Sequence, residues 1–260
     1  MHYEPIVGRF IKKVVIVTGA GSGIGEATAR RFSAEGANVV LAGRNNAKLD
    51  RVAHHLAHER TLTQRCDVSN LADVQRLVAV TLRKYNRLDV LVNNAGVVVA
   101  GDIAKMKPAD WEKVVNTNAR GVFNGCFASL PFLVKKRGCV VNTASVSGLG
   151  GDWGMSVYNA SKGAVVNLTR ALALDYGRRG VRINSVCPTL TLTPMAGGIE
   201  KDRRLMAKLR ERVPLGGPAM PEDIAAVITF LASSDAAFIT GVNLPVDGGL
   251  TASNGQPNFQ

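Results

Sequence analysis

Aromatic residues are scarce in this 260-residue chain, only 5% of the total. That leaves no stacking platform of the kind on which proteins seat successive nucleic-acid bases. Cysteine is rarer still. Cys66, Cys126, Cys139 and Cys187 form no CxxC pair, and three of them sit in or beside apolar, strand-like runs. They read as buried reduced thiols of a cytoplasmic protein, and a disulfide scaffold is excluded. No run of 18 apolar residues occurs, so no membrane-spanning helix is expected, and Met1 to Lys13 lacks the apolar stretch of a secretory signal. Internal repeats, low-complexity tracts and a Pro/Gly/Ser linker are also missing.

Acidic residues are outnumbered, 20 against 32 basic ones, for a net charge of +12. The excess divides between both halves of the chain, there is no basic tail, and the longest basic run is Lys135-Lys136-Arg137. This is a solvated basic surface with a general attraction for anions, and no nucleic-acid partner is expected.

What is abundant is apolar sequence, 46% of residues, enough for a large core without staples. Val14–Val17, Val39–Ala42, Val90–Val92 and Cys139–Val141 are nearly free of charge, as is Val181–Cys187 apart from Arg182. Such runs fit strands buried on both faces of a parallel sheet. Amphipathic segments lie between them, at Glu26–Glu35, Ala47–Glu59, Ala72–Tyr85, Trp111–Lys136 and Ser161–Arg179. The alternation predicts an α/β protein, a single-domain, Rossmann-type doubly wound parallel sheet with helices on both faces, over residues 1–260. The irregular stretch 188–218 is expected to form a substrate lid, and 251–260 a polar C-terminal tail.

After the first strand comes Thr18-Gly19-Ala20-Gly21-Ser22-Gly23-Ile24-Gly25, and then a helix. The G-x-G-x-x-G spacing does not fit; T-G-x-x-x-G-x-G does, through Gly19, Gly23 and Gly25. Strand, glycine turn and helix start bring free N–H groups and a positive dipole end to a pyrophosphate. The alternative is a plain tight connection. The second strand ends Leu41-Ala42-Gly43-Arg44. An acidic residue there would bond a ribose 2′-OH and a basic one would accommodate a 2′-phosphate. With no carboxylate and Arg44 available, the reading leans toward NADP(H). The alternative is that Arg44 merely starts a loop, with Asn45 and backbone groups holding an NAD ribose.

Tyr158 and Lys162 are four residues apart, on one face of a helix. A nearby ammonium would lower the phenol's pKa toward working pH, so that it exchanges a proton with a carbonyl or alcohol oxygen. The same pair on a solvated face would mean nothing. Ser145 follows the strand Cys139–Asn142, at the edge where parallel sheets hold ligands, and could hold the same oxygen or merely cap a turn. Asn93-Asn94-Ala95-Gly96 lies at the same edge, either ordering the cofactor or forming an ordinary turn. Asp152 and Trp153 could line the pocket or pack in a loop. His54 and His58 have metal-like spacing but no companion ligands, so no metal is expected. Trp111, Phe123 and Phe127 recur near helical spacing and read as core or subunit contacts.

Together these motifs resemble the short-chain dehydrogenase/reductase family over nearly the whole chain, including Pro188 and Thr193-Pro194-Met195. The resemblance implies NAD(P)(H) as cofactor and a catalytic set of Ser145, Tyr158, Lys162 and Asn118, with Asn116 as the competing asparagine. It implies cofactor contacts at Gly19, Ser22, Gly23, Ile24, Gly25, Arg44, Asp67, Val68, Asn94, Ala95, Gly96, Tyr158, Lys162, Pro188 and Thr193. It also implies a cytoplasmic homotetramer built through the helices Trp111–Lys136 and Ser161–Arg179 and the last strand. Thr189 departs from the family's usual glycine. The segment Ser145–Gly154 and the tail Pro245–Gly249 through Gly255-Gln256-Pro257 are similar to a bacterial branch containing meso-2,3-butanediol (acetoin) dehydrogenases. That branch is typically NAD-dependent, with a carboxylate at the position of Gly43. The implied activity is reversible oxidation of a secondary alcohol, with a small diol or hydroxyketone as substrate. A 3-oxoacyl thioester or steroid is the alternative substrate, and a cofactor-binding protein without catalysis is the alternative class.

Overall fold

Alternate residues of the central strands point to opposite faces, and both faces are covered. In β1 (Val14–Thr18), Val14 and Ile16 join one apolar cluster while Val15 and Val17 join the other. β2 (Asn38–Gly43), β4 (Val90–Asn93), β5 (Cys139–Thr143) and β6 (Arg182–Pro188) are divided in the same way. The computed structural model describes residues 8–256. Two further strands, β3 (Thr61–Arg65) and β7 (Asn243–Val246), complete a seven-stranded sheet in the order β3-β2-β1-β4-β5-β6-β7, and every pairing is parallel.

One face carries α3 (Leu71–Tyr85), α5 (Gly121–Lys136) and α6 (Ser156–Gly177), through Leu77, Val122, Leu133 and Val165. The other carries α1 (Gly23–Ala34), α2 (Asn46–Ala53) and α8 (Pro221–Ala232), through Phe32, Leu49, Ile224 and Ile228. Each fully buried side chain of this size contributes roughly 1.5–3 kcal/mol. α4 (Pro108–Val115) runs into α5 through a π-helical turn at Asn116–Arg120. The segment expected as one helix over Trp111–Lys136 is therefore two helices and a wide turn. α6 begins at Ser156, five residues earlier than Ser161, which places Tyr158 in its first turn. The helix expected over Ala47–Glu59 ends at Ala53.

The chain reverses direction across the sheet between β1 and β4. At such a switch point the carboxyl ends of the strands open a crevice. The expected lid, 188–218, runs over this edge through two short 3-10 turns, Pro194–Ala196 and Ile199–Lys201, and then α7 (Arg203–Arg212). Asp202 caps α7 by accepting from Leu205 N at 3.0 Å. At the start of the expected tail, Asp247 accepts from Thr251 N and Oγ1 at 2.8 and 2.6 Å; its residues 257–260 lie outside the described ones. All four cysteines are buried and unbridged. His54, His55 and His58 are exposed, and no group of three metal-ligand residues occurs among the described ones. Among the described residues no helix is long and apolar enough to cross a membrane.

Candidate active site

The glycine turn is built so that a side chain would block it. A Cβ on Gly25 would lie 2.2 Å from the Gly19 carbonyl oxygen, and Gly19 and Gly23 hold φ of +66° and +55°, which favour glycine. Ser22, at the start of α1, makes no side-chain capping bond, so the helix's first N–H groups face the crevice uncapped. Thr18 ties this turn to the neighbouring strand. Its Oγ1 accepts from Asn94 N at 2.9 Å and from Ala95 N at 3.1 Å, while Asn94 Nδ2 donates to Thr18 O at 3.0 Å.

One cavity of about 850 Å³ runs along the crevice. Gly43, Arg44, Asp67 and Val68 line one end, Gly19, Ser22, Gly23, Ile24, Asn94–Gly96 and Thr193 the middle, and Ser145, Tyr158, Lys162 and Pro188 the other end. Gly25 lies beneath the turn rather than on the wall. Arg44 is exposed. Burial alone would push the Asp67 carboxyl up, but hydrogen bonds from Ser69 and the charges of Arg44 and Arg65 hold it below its ordinary value. A glycine cradle, an uncapped helix start and a cationic edge at one end of one cavity fit a dinucleotide.

At the far end, Ser145 terminates the run from β5 and starts the short turn Val146–Gly148. Its Oγ contacts Ser147 Oγ at 3.1 Å and Pro188 O at 3.4 Å. Ser147 in turn donates to Asp152 Oδ2 through a short hydrogen bond. Lys162 is 4% exposed and donates to Thr143 O at 2.7 Å. Burial brings its pKa down to about 8. Its Nζ lies 5.7 Å from the Tyr158 ring centre.

The expected lowering of the Tyr158 pKa does not hold here. Burial pushes the phenol up, the Ser145 hydroxyl beside it pulls it down, and the Asp152 carboxylate adds to the rise. The ammonium of Lys162 is engaged by a backbone carbonyl instead. Asn118 stands behind the wall, 1% exposed in the π-helical turn. It exchanges two hydrogen bonds with the Val97 backbone, at 2.8 and 2.9 Å, and donates to Ser161 Oγ at 3.0 Å. Asn116 does not line the cavity.

Thr193 lies against the glycine turn, where a Cβ on Gly23 would come within 2.8 Å of its Cγ2. Thr189, which replaces the usual glycine, does not have positive φ, so this backbone does not require glycine there. Asp152 and Trp153 line the mouth, and Trp153 is fully exposed. Trp111, Phe123 and Phe127 are about half exposed, so they are not core. The sequence did not single out Thr143 or Ser147; both lie beside Ser145, and neither type nor spacing marks them.

A doubly wound sheet with this crevice and proton-transfer cluster defines an oxidoreductase that binds a nicotinamide dinucleotide. A family model described as Enoyl-(Acyl carrier protein) reductase matches residues 19–251, and the chain belongs to the short-chain dehydrogenase/reductase family. The chain is 54% identical to the meso-2,3-butanediol dehydrogenase of Serratia marcescens, over 96% of this chain and 99% of that one. Among solved structures it is similar to levodione reductase (37% identity, TM-score 0.89, covering 94% of this chain and 99% of the other). It is also similar to the 3-ketoacyl-(acyl-carrier-protein) reductase of Brucella melitensis complexed with NADH (34% identity, TM-score 0.86, covering 93% and 99%).

Proposed function

We propose that the protein catalyses reversible hydride transfer between a nicotinamide dinucleotide and a small vicinal diol or hydroxyketone, such as 2,3-butanediol or acetoin. The observation that carries this is the convergence of Ser145, Tyr158 and Lys162 at one end of a cavity whose other end is a dinucleotide cradle. The likeness to the Serratia enzyme supports the substrate class. So does the apolar wall of Val97, Val98, Met195, Leu205 and Leu209, which suits a short hydrocarbon.

The bound dinucleotide supplies or accepts the hydride. Tyr158 is the general acid and base at the substrate oxygen, and Ser145 orients that oxygen. Lys162, whose Nζ lies 5.7 Å from the Tyr158 ring centre and bonds Thr143 O, would bond the nicotinamide ribose and stabilise the phenolate once the dinucleotide is seated. Asn118 fixes the backbone at Val97 and holds a water that links Lys162 to solvent. Gly19, Ser22–Gly25, Asp67, Val68, Asn94–Gly96, Pro188 and Thr193 seat the cofactor, and the segment 188–218 acts as lid. Arg44, with no carboxylate at Gly43, favours NADP(H) over NAD(H).

A homotetramer is supported by the exposed Trp111, Phe123 and Phe127 on α4 and α5 and by Leu174, 84% exposed on α6. Light scattering after gel filtration tests it. Buried reduced thiols support a cytoplasmic location. A second reading, reduction of a 3-oxoacyl thioester on an acidic carrier, is favoured by one observation. Arg203, Arg204, Lys208, Arg210 and Arg212 of α7 are exposed beside the cavity and belong to none of the ion pairs among the described residues. Reduced-cofactor absorbance with 2,3-butanediol, acetoin, diacetyl and acetoacetyl thioesters, each with both cofactors, decides. Turnover of thioesters alone would sink the diol reading.

A further inference from the structure

The loop between the Val146–Gly148 turn and α6 brings a carboxylate into the substrate end of the cavity, where Ser145, Ser147 and Asp152 all line the wall. Ser147 Oγ lies 3.1 Å from Ser145 Oγ and gives its one proton to Asp152 Oδ2. Met155 N donates to Asp152 O at 3.4 Å and turns the loop back toward α6. Among the described residues the Asp152 carboxylate receives that single bond from Ser147, which leaves Oδ1 free. It also belongs to none of the ion pairs among them, in a chain whose net charge is +12. An ionised carboxylate only accepts hydrogen bonds. Beside the place where Ser145 receives the reacting oxygen, the wall therefore calls for a donor.

We propose that Asp152 is a specificity-determining residue, which accepts a hydrogen bond from the hydroxyl on the carbon next to the reacting one. The inference rests on the reading of Ser145 and Tyr158 as the groups that hold the reacting oxygen. The two oxygens of a vicinal diol lie close to a hydrogen-bond length apart, about 2.8 Å. That is comparable with the 3.1 Å step from Ser145 Oγ to Ser147 Oγ, beyond which the carboxylate stands. A diol bound through one oxygen at Ser145 thus carries the other toward Asp152. Its reacting O–H stays available to Tyr158, because the proton that Asp152 receives belongs to the second hydroxyl. That hydroxyl is present in both 2,3-butanediol and acetoin, so the contact serves both directions. Diacetyl puts a carbonyl there, whose lone pairs face those of the carboxylate, and butan-2-ol puts nothing there. The same contact sets where oxidation ends. Taking acetoin on to the diketone would lay its carbonyl against Asp152, so the hydroxyketone is the product.

The test measures kcat/KM for acetoin and diacetyl with reduced cofactor, and for 2,3-butanediol and butan-2-ol with oxidised cofactor, in wild type, D152N and D152A. D152N keeps the shape but supplies an N–H donor. The acetoin-to-diacetyl ratio should then fall about ten-fold or more, the effect of one hydrogen bond to a charged group. D152A removes the acceptor, so the butanediol-to-butan-2-ol ratio should fall by a similar factor. Asp152 also adds to the rise of the Tyr158 pKa, but that effect is common to both substrates of a pair and cancels in the ratio. A purely structural role of the loop would lower all four values together and leave the ratios unmoved. Unmoved ratios in an enzyme that turns over the diol would overturn this proposal alone. A wild type that turns over thioesters and none of these four substrates would sink the diol reading, and this proposal with it.

Discussion

Replacing Gly25 with alanine would put a methyl carbon 2.2 Å from the Gly19 carbonyl oxygen and 2.6 Å from the Asn94 amide nitrogen. A carbon rests at about 3.3 Å or more from an oxygen, so roughly 1 Å must be found. Neither neighbour yields easily. Gly19 is backbone in a left-handed conformation, and Asn94 is held by its 3.0 Å bond to Thr18 O. Moving the turn away lengthens that bond beyond use, a loss of about 1 kcal/mol. Overpacking of this kind adds about 1–3 kcal/mol. With about 2 kcal/mol falling on the phosphate-binding conformation, the dinucleotide Kd should rise about 30-fold. A total near 3 kcal/mol lowers the melting temperature by roughly 6–12 °C in a domain of this size. Isothermal titration with NADPH and NADH, beside a thermal melt, reads both effects. Gly150→Ala is the control, since nothing lies within 4 Å of its Cβ position. A G25A protein that binds the dinucleotide within two-fold of wild type would refute the reasoning.

Tyr158→Phe removes the phenol proton while keeping the ring; turnover should fall about 10²–10⁴-fold, measured by steady-state kinetics at saturating cofactor. Arg44→Asp should move the preference from NADPH toward NADH by at least about ten-fold in kcat/KM, and an unchanged ratio would remove Arg44 from cofactor selection. Lys162 titrates near 8 in the folded protein but near its ordinary value when unfolded. The unfolded chain therefore binds more protons between those values, and stability from this group rises as pH climbs from about 8 to 10. Urea denaturation at pH 7.5 and 9.5 should show wild type gaining about 2 kcal/mol over Lys162→Met, and no relative gain would contradict the buried, destabilised ammonium.

Burial decided which elements were legible. The central strands carry uninterrupted apolar runs because both their faces are covered, and all five coincide with β1, β2, β4, β5 and β6. The two edge strands escaped. Thr61–Arg65 is polar and only partly covered, and Asn243–Val246 contains Pro245, which only an edge tolerates. The π-helical turn at Asn116–Arg120 has no local signature, since its sequence, Asn-Thr-Asn-Ala-Arg, suits an ordinary helix equally well. The residues expected to line the crevice were legible because glycine turns and strand ends follow from chain order. The attachments of Lys162 to Thr143 and of Ser147 to Asp152 were not, because they depend on where hydroxyl and carbonyl groups settle after packing.

Beneath the crevice, β4 and β5 carry a bonded pair of buried amides among largely apolar neighbours. Asn93 Nδ2 donates to Asn142 Oδ1 at 3.0 Å, and Asn142 Nδ2 donates to Thr169 Oγ1 at 2.9 Å. Asn93 and Asn142 are register partners in β4 and β5. Parallel strands are joined by long crossovers, so no tight turn sets their alignment. A slip of one residue would turn an amide onto the face lined by Val15, Val39 and Val141, with nothing to bond. An unpaired amide in apolar surroundings costs roughly 2–7 kcal/mol, a large part of a domain's whole stability. The asparagine pair thus acts as an error check on assembly: it penalises misaligned sheets and so places Ser145, two residues beyond β5, at its proper height above the crevice.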